Sequence, residues 1–560
     1  SQNALALAFL ADKNAGDPRA EASSLTQSFL FDPAIATQLL RGGITTEITP
    51  RVGERGERNF HLTNQTTGAD GALHAYGLLN RAEDDGARPY DDFSSWNGEE
   101  HVTYQAGSRT NVYGNVRLAR TEQELAGPAS APVSDDQRGF RYHQGQLAAR
   151  RRLGAGRTLW LGMFGNSSRS ETQDPGLNSF FDPITGLPVR RHDFTSSALL
   201  PELRFDYALD PDAPRASLLT LGVAGARTRF NGDLNLFNAI ASASGTRRFR
   251  QEDETLLAYA QWAQRINQRL SLTSQLRWQR LDQTRTSLIQ APGIASIPTT
   301  QSSAPSRLLP SLLATYQADR RTTLRLFANR RVVDVRPGLF TPEETLLTTE
   351  PGALPAGTPE TMRLLQLDAE RYLSSRGFLK LFLFHTTADN VLIGGSDLTG
   401  FSSGLPDAGA PSLRLGEWRG RGVGARYEHQ LSHHLFANAG LVLRQTSNFN
   451  PAFNTVYDNQ TAPYEPRRLG HVELNYVGSG GNKIGVRLRH AGSFFADSPL
   501  LLGRPRFPAR TYVDLRLAKE PSVHAEFFIN VTNLFDRSQI AFHDFPIGQR
   551  RIEFGMTRRF

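Results

Sequence analysis

The sequence predicts an all-β protein: a 22-stranded antiparallel transmembrane β-barrel over residues 43–560, preceded by a short helical segment over residues 1–42. Three observations predict it. Apolar and polar residues alternate through most of the chain. The alternating runs are longer than the strands of soluble sheets. The connections between them alternate short and long without a break.

Composition excludes several other classes. Only 39% of the residues are hydrophobic, mean hydropathy is −0.41, and no apolar run is long enough for a membrane-spanning helix. The 33 Phe, 14 Tyr and 5 Trp are more than a solvated coil carries. Cysteine is absent, which excludes disulfide scaffolds, Cys-ligated zinc, iron–sulfur clusters and thiol catalysis. The 63 basic and 55 acidic residues give a net charge of +8. Every basic residue except Lys13, Lys380, Lys483 and Lys519 is arginine. Such a balance fits nucleic-acid binding or a polar, Arg-lined interior, and the alternation selects the second. No nucleic-acid partner is expected. The chain opens Ser1-Gln2-Asn3 without a basic n-region, as a mature or truncated product would.

Residues 3–12 are rich in Ala and Leu and favour helix. Asp17-Pro18 and Asp32-Pro33 each read as a cap followed by a first helical residue. Two or three short helices are therefore predicted, in a pattern similar to the last helical pair of a tetratricopeptide array. From about residue 43 the period changes to two. Gly43 to Val52 is the first predicted strand, with Pro50 near its end, followed by a tight turn over Gly53–Gly56. Leu199, Leu203, Phe205 and Tyr207 then alternate with Glu202, Arg204 and Asp206. Leu324, Leu326 and Ala328 alternate with Arg325, Phe327 and Asn329. Leu435, Ala437, Ala439, Leu441 and Leu443 repeat the period. Ile484, Val486 and Leu488 face away from Gly485, Arg487 and Arg489, and Val513, Leu515 and Leu517 from Asp514, Arg516 and Ala518. In the run 522–535, Val523, Phe527, Ile529 and Val531 share one face and Glu526 and Asn530 the other, with Phe528 as the exception.

A soluble sandwich turns the apolar face inward; a membrane barrel turns it outward to lipid. The runs reach roughly 10–18 residues, against ~5–6 in soluble strands and ~9–11 needed to cross a bilayer. Short connections fall near 68–71, 107–110, 153–156, 208–215, 265–268, 318–321, 373–376, 431–434, 479–482 and 520–522. Long ones interleave with them near 84–95, 122–137, 173–190, 231–248, 288–306, 335–360, 395–412, 449–463, 494–507 and 538–548. Outer-membrane barrels show this parity, with short periplasmic turns and long extracellular loops.

Lipid-facing residues are then Val523, Phe527, Ile529 and Val531. Lumen-lining residues are Asp514, Arg516, Glu526, Asn530, Arg487, Arg489 and Glu473. Such an interior is a self-neutralising network or a path for an anionic or sugar-like solute, where Arg offers paired donors. Neither the histidines (His433-His434 included) nor the acidic runs Glu83-Asp84-Asp85 and Asp91-Asp92 make a marked catalytic or metal set. No enzyme, metal site or cofactor is predicted.

The C-terminus carries a resemblance. Residues 526–537, Glu-Phe-Phe-Ile-Asn-Val-Thr-Asn-Leu-Phe-Asp-Arg, resemble the penultimate strand of TonB-dependent receptors. Residues 550–560 resemble their closing strand, ending in Phe560 with Ile552, Phe554 and Met556 on the same face. That face is similar to the signal read by the barrel-assembly machinery, with Arg558 departing from it. The resemblance implies an integral protein of the bacterial outer membrane and a transport pore moving a large or polar solute. It also implies contacts with outer-membrane lipid, lipopolysaccharide and the assembly machinery, and a periplasmic energy-coupling or repeat protein as partner. Two other functions fit the pattern: an export or assembly pore for polysaccharide or a surface polymer, and a structural surface protein whose loops bind a partner.

Twenty-two strands ~4.8 Å apart, tilted ~40°, enclose a backbone diameter of roughly 44 Å and an opening of roughly 30 Å. Residues 1–42 fill only about a fifth of such a lumen, so loops or a partner are expected to help close it. The loop after Arg336 carries Leu339, Phe340, Leu346, Leu347 and Leu354, more apolar groups than a solvated loop needs, and its prolines lower the entropy cost of ordering. It is expected to act as an extracellular lid. Deleting residues 338–358 should then raise planar-bilayer conductance; unchanged conductance would remove this loop from the gate.

Overall fold

The computed structural model describes residues 45–560 except 55, 69–70, 86–91, 125–136, 174–188, 210–216, 239–242, 292–293, 334–359, 396–411, 450–465, 496–505, 538, 543–544 and 548–549. The helices expected over 1–42 lie outside the described residues.

The strands are β1 Thr45–Gly53, β2 Arg58–Thr67, β3 Leu73–Asp84, β4 Phe93–Gln105, β5 Thr110–Glu124, β6 Gln137–Gly154, β7 Arg157–Gln173, β8 Val189–Leu209, β9 Ser217–Asn238, β10 Ala243–Arg265 and β11 Leu270–Ala291. β12 runs in two segments, Ile294–Ser303 and Ser306–Gln317, both paired with β11. There follow β13 Thr322–Val333, β14 Glu360–Ser374, β15 Gly377–Gly395, β16 Ser412–Gln430, β17 Leu435–Phe449, β18 Arg468–Val477, β19 Asn482–Ala491, β20 Arg510–Ser522, β21 Ala525–Thr532 and β22 Arg551–Arg559. The 23 segments of the sheet thus make 22 strands. Each pairs antiparallel with its chain neighbours, and β1 pairs with β22. The sheet is closed and has no free edge.

The two faces differ as the alternation requires. Large apolar side chains are exposed at Leu221 and Val223 of β9, Leu324 and Leu326 of β13, Leu365 and Leu367 of β14, and Leu381 and Leu383 of β15. The opposite positions hold buried polar groups, among them Thr220, Arg325, Gln366 and Asp368. Inside a cylinder side chains converge and cover one another, while outside they diverge. The polar face is therefore the inner one. Along each strand the outer face turns charged toward the long-loop end. Val223 of β9 gives way to Arg227 and Arg229, which pair with Glu254 and Glu252 of β10 at 3.5 and 3.1 Å. Trp278 of β11 gives way to Arg280, bonded to Asp282 at 3.1 Å. These changes mark the upper edge of the apolar band.

Two expected loops are strands. Residues 231–238 and 243–248 belong to β9 and β10, and residues 288–291 and 294–303 to β11 and β12, so that β9 has 22 residues and β10 has 23. Asn, Gly and Asp make 231–235 look like loop, but Phe230 and Leu234 share one face and pack with Phe249. That aromatic cover carries the pairing far beyond the ~9–11 residues a bilayer needs. β12 is interrupted at Pro305, which has no N–H to donate; its carbonyl still accepts Leu281 N at 3.0 Å. Pro50 does not end β1 but interrupts its ladder with β22, and the Thr49 and Thr557 hydroxyls bridge the gap at 3.0 Å.

Turn chemistry is local. Gly480 and Gly481 both adopt φ near +80° (80 and 79) in the β18–β19 turn, a region that glycine enters without a Cβ penalty. In the β12–β13 turn, Asp319 accepts Arg321 N at 2.7 Å and the Thr322 hydroxyl at 2.9 Å. The Arg321 N–H, then the Thr322 hydroxyl, hold the Asp319 carboxyl below its ordinary value. A lowered folded pKa means a contribution present above the unfolded value, near 3.9, and lost as pH falls through the folded one. Asp319→Asn should therefore lower barrel stability at neutral pH and flatten its acid limb, the variant converging with wild type as pH falls below ~4. An acid titration of refolded wild type and variant checks this.

Candidate functional site

The inner wall is built of charged side chains held by one another. At the seam, the Glu526 carboxylate on β21 accepts from Lys483 of β19 at 2.6 Å and from Arg516 of β20 at 2.5 Å. Arg516 also donates to Asn530 Oδ1 at 2.9 Å, and Asn530 Nδ2 donates to Glu553 at 2.7 Å. Lys483 reaches Glu520 at 2.6 Å, and Arg559 links Glu520 at 3.0 Å to Glu47 at 3.2 Å. Beside this group, Arg489 pairs with Asp514 at 2.8 Å, and Arg487 with Glu473 at 2.8 Å. Asp514 also receives Asn533 N at 3.0 Å. All seven inward polar residues expected from the sequence thus take part in these contacts. Lys483, Glu520, Arg559, Glu47 and Glu553 were not anticipated. Their alternation was readable, but their partners are set by strand register, and for Glu47 and Arg559 by the closure of β22 on β1.

Phe528, the exception to alternation, is 4% exposed. Its ring covers Gly555, where a Cβ would lie 2.2 Å from the ring tip. Arg516 lies over it at 4.3 Å and Arg51 at 5.6 Å from the centroid, so the aromatic sits inside as a cation platform.

Two further groups line the wall. On β13–β15, Arg325 bonds Glu370, and Lys380 reaches Glu370 at 3.3 Å and Asp368 at 3.2 Å, all four nearly buried. On β7–β10, Asp206 accepts Arg204 Nε at 2.8 Å, the Thr220 hydroxyl at 2.8 Å and Trp160 Nε1 at 2.9 Å. Tyr259 donates to Glu202 in the same group. The Glu202, Arg204 and Asp206 polar face of the sequence is thereby given its partners.

On the other face, Phe527 is 51% exposed and Val523 is exposed in the β20–β21 turn. Phe527, Ile529 and Val531 stand in register with Met556, Phe554 and Ile552 of β22. Phe560 is exposed beyond the end of that strand, with Arg558 over its ring at 4.9 Å. Leu339, Phe340, Leu346, Leu347 and Leu354 lie outside the described residues. Among the described acidic residues, Glu83 is held by Arg81 and Asp84 by Arg551 at 3.0 Å. Among the described residues no three His, Asp or Glu form a metal-sized cluster. His434 Nδ1 instead meets the Val477 carbonyl at 2.8 Å.

Comparison with known proteins agrees with this architecture. Residues 44–534 match the family model described as TonB dependent receptor-like, beta-barrel. No curated protein matches the chain. Among solved structures, the ferric-catecholate import receptor Fiu of E. coli K12 in its closed form superposes with TM-score 0.72 at 13% identity, over 93% of this chain and 82% of that one. The ferric yersiniabactin uptake receptor FyuA of Yersinia pestis gives 0.72 at 14%, over 93% and 80%. The copper transporter OprC gives 0.71 at 14%, over 93% and 81%. These are receptors and transporters rather than enzymes, and a barrel of this kind is integral to the outer membrane. The chain belongs to the TonB-dependent receptor-like β-barrel family.

Proposed function

We propose that the protein is an outer-membrane uptake receptor for a large polar solute of the metal-chelate type, driven by a periplasmic TonB-class energy-coupling protein. The observation that carries the reading is the inner wall, crossed by arginines bonded to carboxylates, in a barrel of this family. Asp514, Arg516, Glu526, Asn530, Arg487, Arg489 and Glu473 line the lumen on this reading, where guanidinium groups meet an anionic chelate through paired donors. The similar structures are described as a ferric-catecholate import receptor, a ferric yersiniabactin uptake receptor and a copper transporter, which favours chelates over polysaccharide.

The test is uptake into a host stripped of its own ferric-chelate receptors, with catecholate, hydroxamate and citrate chelates of iron and with copper as probes. Saturable uptake that disappears when the energy-coupling protein is deleted is the expected result. Non-saturable passage independent of that protein would overturn the proposal in favour of an open pore.

On the same reading Val523, Phe527, Ile529 and Val531 face lipid, and Ile552, Phe554, Met556 and Phe560 are presented to the barrel-assembly machinery. Ile529→Arg, deeper in β21 beside Leu517, should cost ~2–4 kcal/mol, as for a basic residue at the bilayer midplane, and Phe527→Arg, opposite Lys519 nearer the strand's start, less. Asn530→Arg, beside Glu553, should cost far less. A urea refolding titration in phospholipid vesicles checks the difference. Equal losses would count against the facing assignment.

A further inference from the structure

One outward position breaks the apolar band. On β4 the outward residues are Trp96, Gly98, Glu100, Val102 and Tyr104. Trp96 stands between Arg81 of β3 and Arg120 of β5, at the upper edge. Tyr104 lies next to the last residue of β4, beside the short turn. Glu100 is four residues from each. At ~3.3 Å per residue and a tilt of ~40° it lies ~10 Å from both aromatics, midway through an apolar band ~25 Å tall.

Glu100 is exposed there. Its carboxylate lies across Gly77 of β3, where a Cβ would stand 2.6 Å from Oε2. Among the described residues no side chain holds that carboxylate. The outward carboxylates Glu83, Glu122, Glu254 and Asp282, by contrast, sit at the upper edge and hold arginines. A carboxyl group facing hydrocarbon is costly until another polar group meets it.

The surroundings leave room for a second wall. Gly77 beside Glu100, Gly98 above it and Gly114 diagonally below it on β5 present no side chain, and small residues let backbones approach within a membrane. A two-fold axis along the membrane normal through β4 sets β3 of one copy against β5 of the other. Glu83 is ten residues above the start of β3 at Leu73, and Arg120 ten above the start of β5 at Thr110. Both strands start at short turns. Carboxylate and guanidinium therefore meet at one height, once on each side of the axis. Gly77 and Gly114, each four residues above those starts, meet as well. A wall of roughly 22 Å radius falls away by only about 1 Å from one strand to the next, so all three strands reach the contact. On the axis Glu100 meets Glu100 of the other copy. Two carboxyl groups this close cannot both ionise, and one shared proton joins them as donor and acceptor.

We propose that the β3–β5 face is where two copies of this barrel pair in the outer membrane, about a two-fold axis at Glu100. The carboxyl pair closes the contact in mid-membrane, and Glu83 with Arg120 fixes its register at the upper edge.

The test uses the full chain in outer membranes and exploits the absence of cysteine. Val102→Cys places a thiol on the axis, and Leu381→Cys places one on the exposed face of β15 as a control. A short bis-maleimide should give a product of twice the chain mass from Val102→Cys, about tenfold above Leu381→Cys. In the Val102→Cys background, Glu100→Leu should reduce that product to the control level, while heat-modifiable gel mobility still reports a folded barrel. Glu100→Gln, whose carboxamides also pair as donor and acceptor, should keep it. Arg120→Glu should weaken it, and Arg120→Glu with Glu83→Arg should restore it. Equal products from Val102→Cys and Leu381→Cys would mean random collision and would overturn the proposal. So would an undiminished product in Glu100→Leu, or a charge swap no better than Arg120→Glu alone. A Glu100-dependent product of another mass would mean a foreign partner and would overturn it too.

Discussion

Replacing Lys380 by methionine is expected to destabilise the barrel by ~3–5 kcal/mol, the range for removing one partner of a buried ion pair. Lys380 sits between Glu370 and Asp368, and Arg325 bonds Glu370 from the next strand. With all four present, two cations meet two anions in a nearly water-free corner of the wall. Methionine fills similar volume but leaves two carboxylates facing one guanidinium. Adding Asp368→Asn restores one cation to one anion, and Gln366 Nε2, which now reaches Asp368 at 2.8 Å, still has an oxygen to meet. The double variant should recover most of the loss, so the pair is strongly non-additive. Urea unfolding in vesicles, with heat-modifiable mobility as the folded signal, measures both. A loss under about 1 kcal/mol for Lys380→Met would mean that lumenal water solvates the remaining carboxylates.

Gly222→Val should cost a similar amount for a different reason. Gly222 on β9 is the cross-strand neighbour of Tyr259 on β10, and the phenol ring lies across it. A Cβ there would stand 2.1 Å from Tyr259 Cζ and 2.4 Å from its oxygen. The ring cannot move aside freely, because its hydroxyl donates to Glu202. Overpacking costs ~1–3 kcal/mol and a lost bond to a charged acceptor ~1.5–3. Their sum is roughly 2.5–6 kcal/mol. Gly222→Val combined with Tyr259→Ala should be milder than Gly222→Val alone, since the clash goes with the ring. If the two variants unfold alike, steric conflict is not the cause.

Much of this architecture was legible from period alone. Strict alternation fixed which residues share a face, as at Phe527 against Glu526, and loop parity gave the strand number. Long-range pairing was not legible. The seven residues expected on the inner face near the seam could be named, but that Arg516 would bridge Glu526 to Asn530 depends on the β20–β21 hairpin register, and that Arg559 would join Glu520 to Glu47 depends on which distant strands meet at the seam. Composition misled where cover overrode propensity. Residues 231–235 are turn-rich, yet Phe249 and Phe230 close over them and the strand continues. Phe528 broke the pattern because Gly555, far along the chain, leaves room for its ring.

The closing seam has a consequence for how the barrel is made. Thr49 and Thr557 meet across 508 residues of chain, and Glu47 and Arg559 across 512. Loop-closure entropy adds about 0.6 kcal/mol for each doubling of the intervening length. Contacts of the largest separation are therefore the last to be repaid during folding. Every hairpin from β2 to β21 can pair with a near neighbour first, while β1 and β22 must wait for each other. Until they meet, the chain is an open sheet with two unsatisfied edges, each a template for any passing strand. Assembly is then limited by the rate at which the first and last strands find one another, and the characteristic error is a seam formed with a second copy.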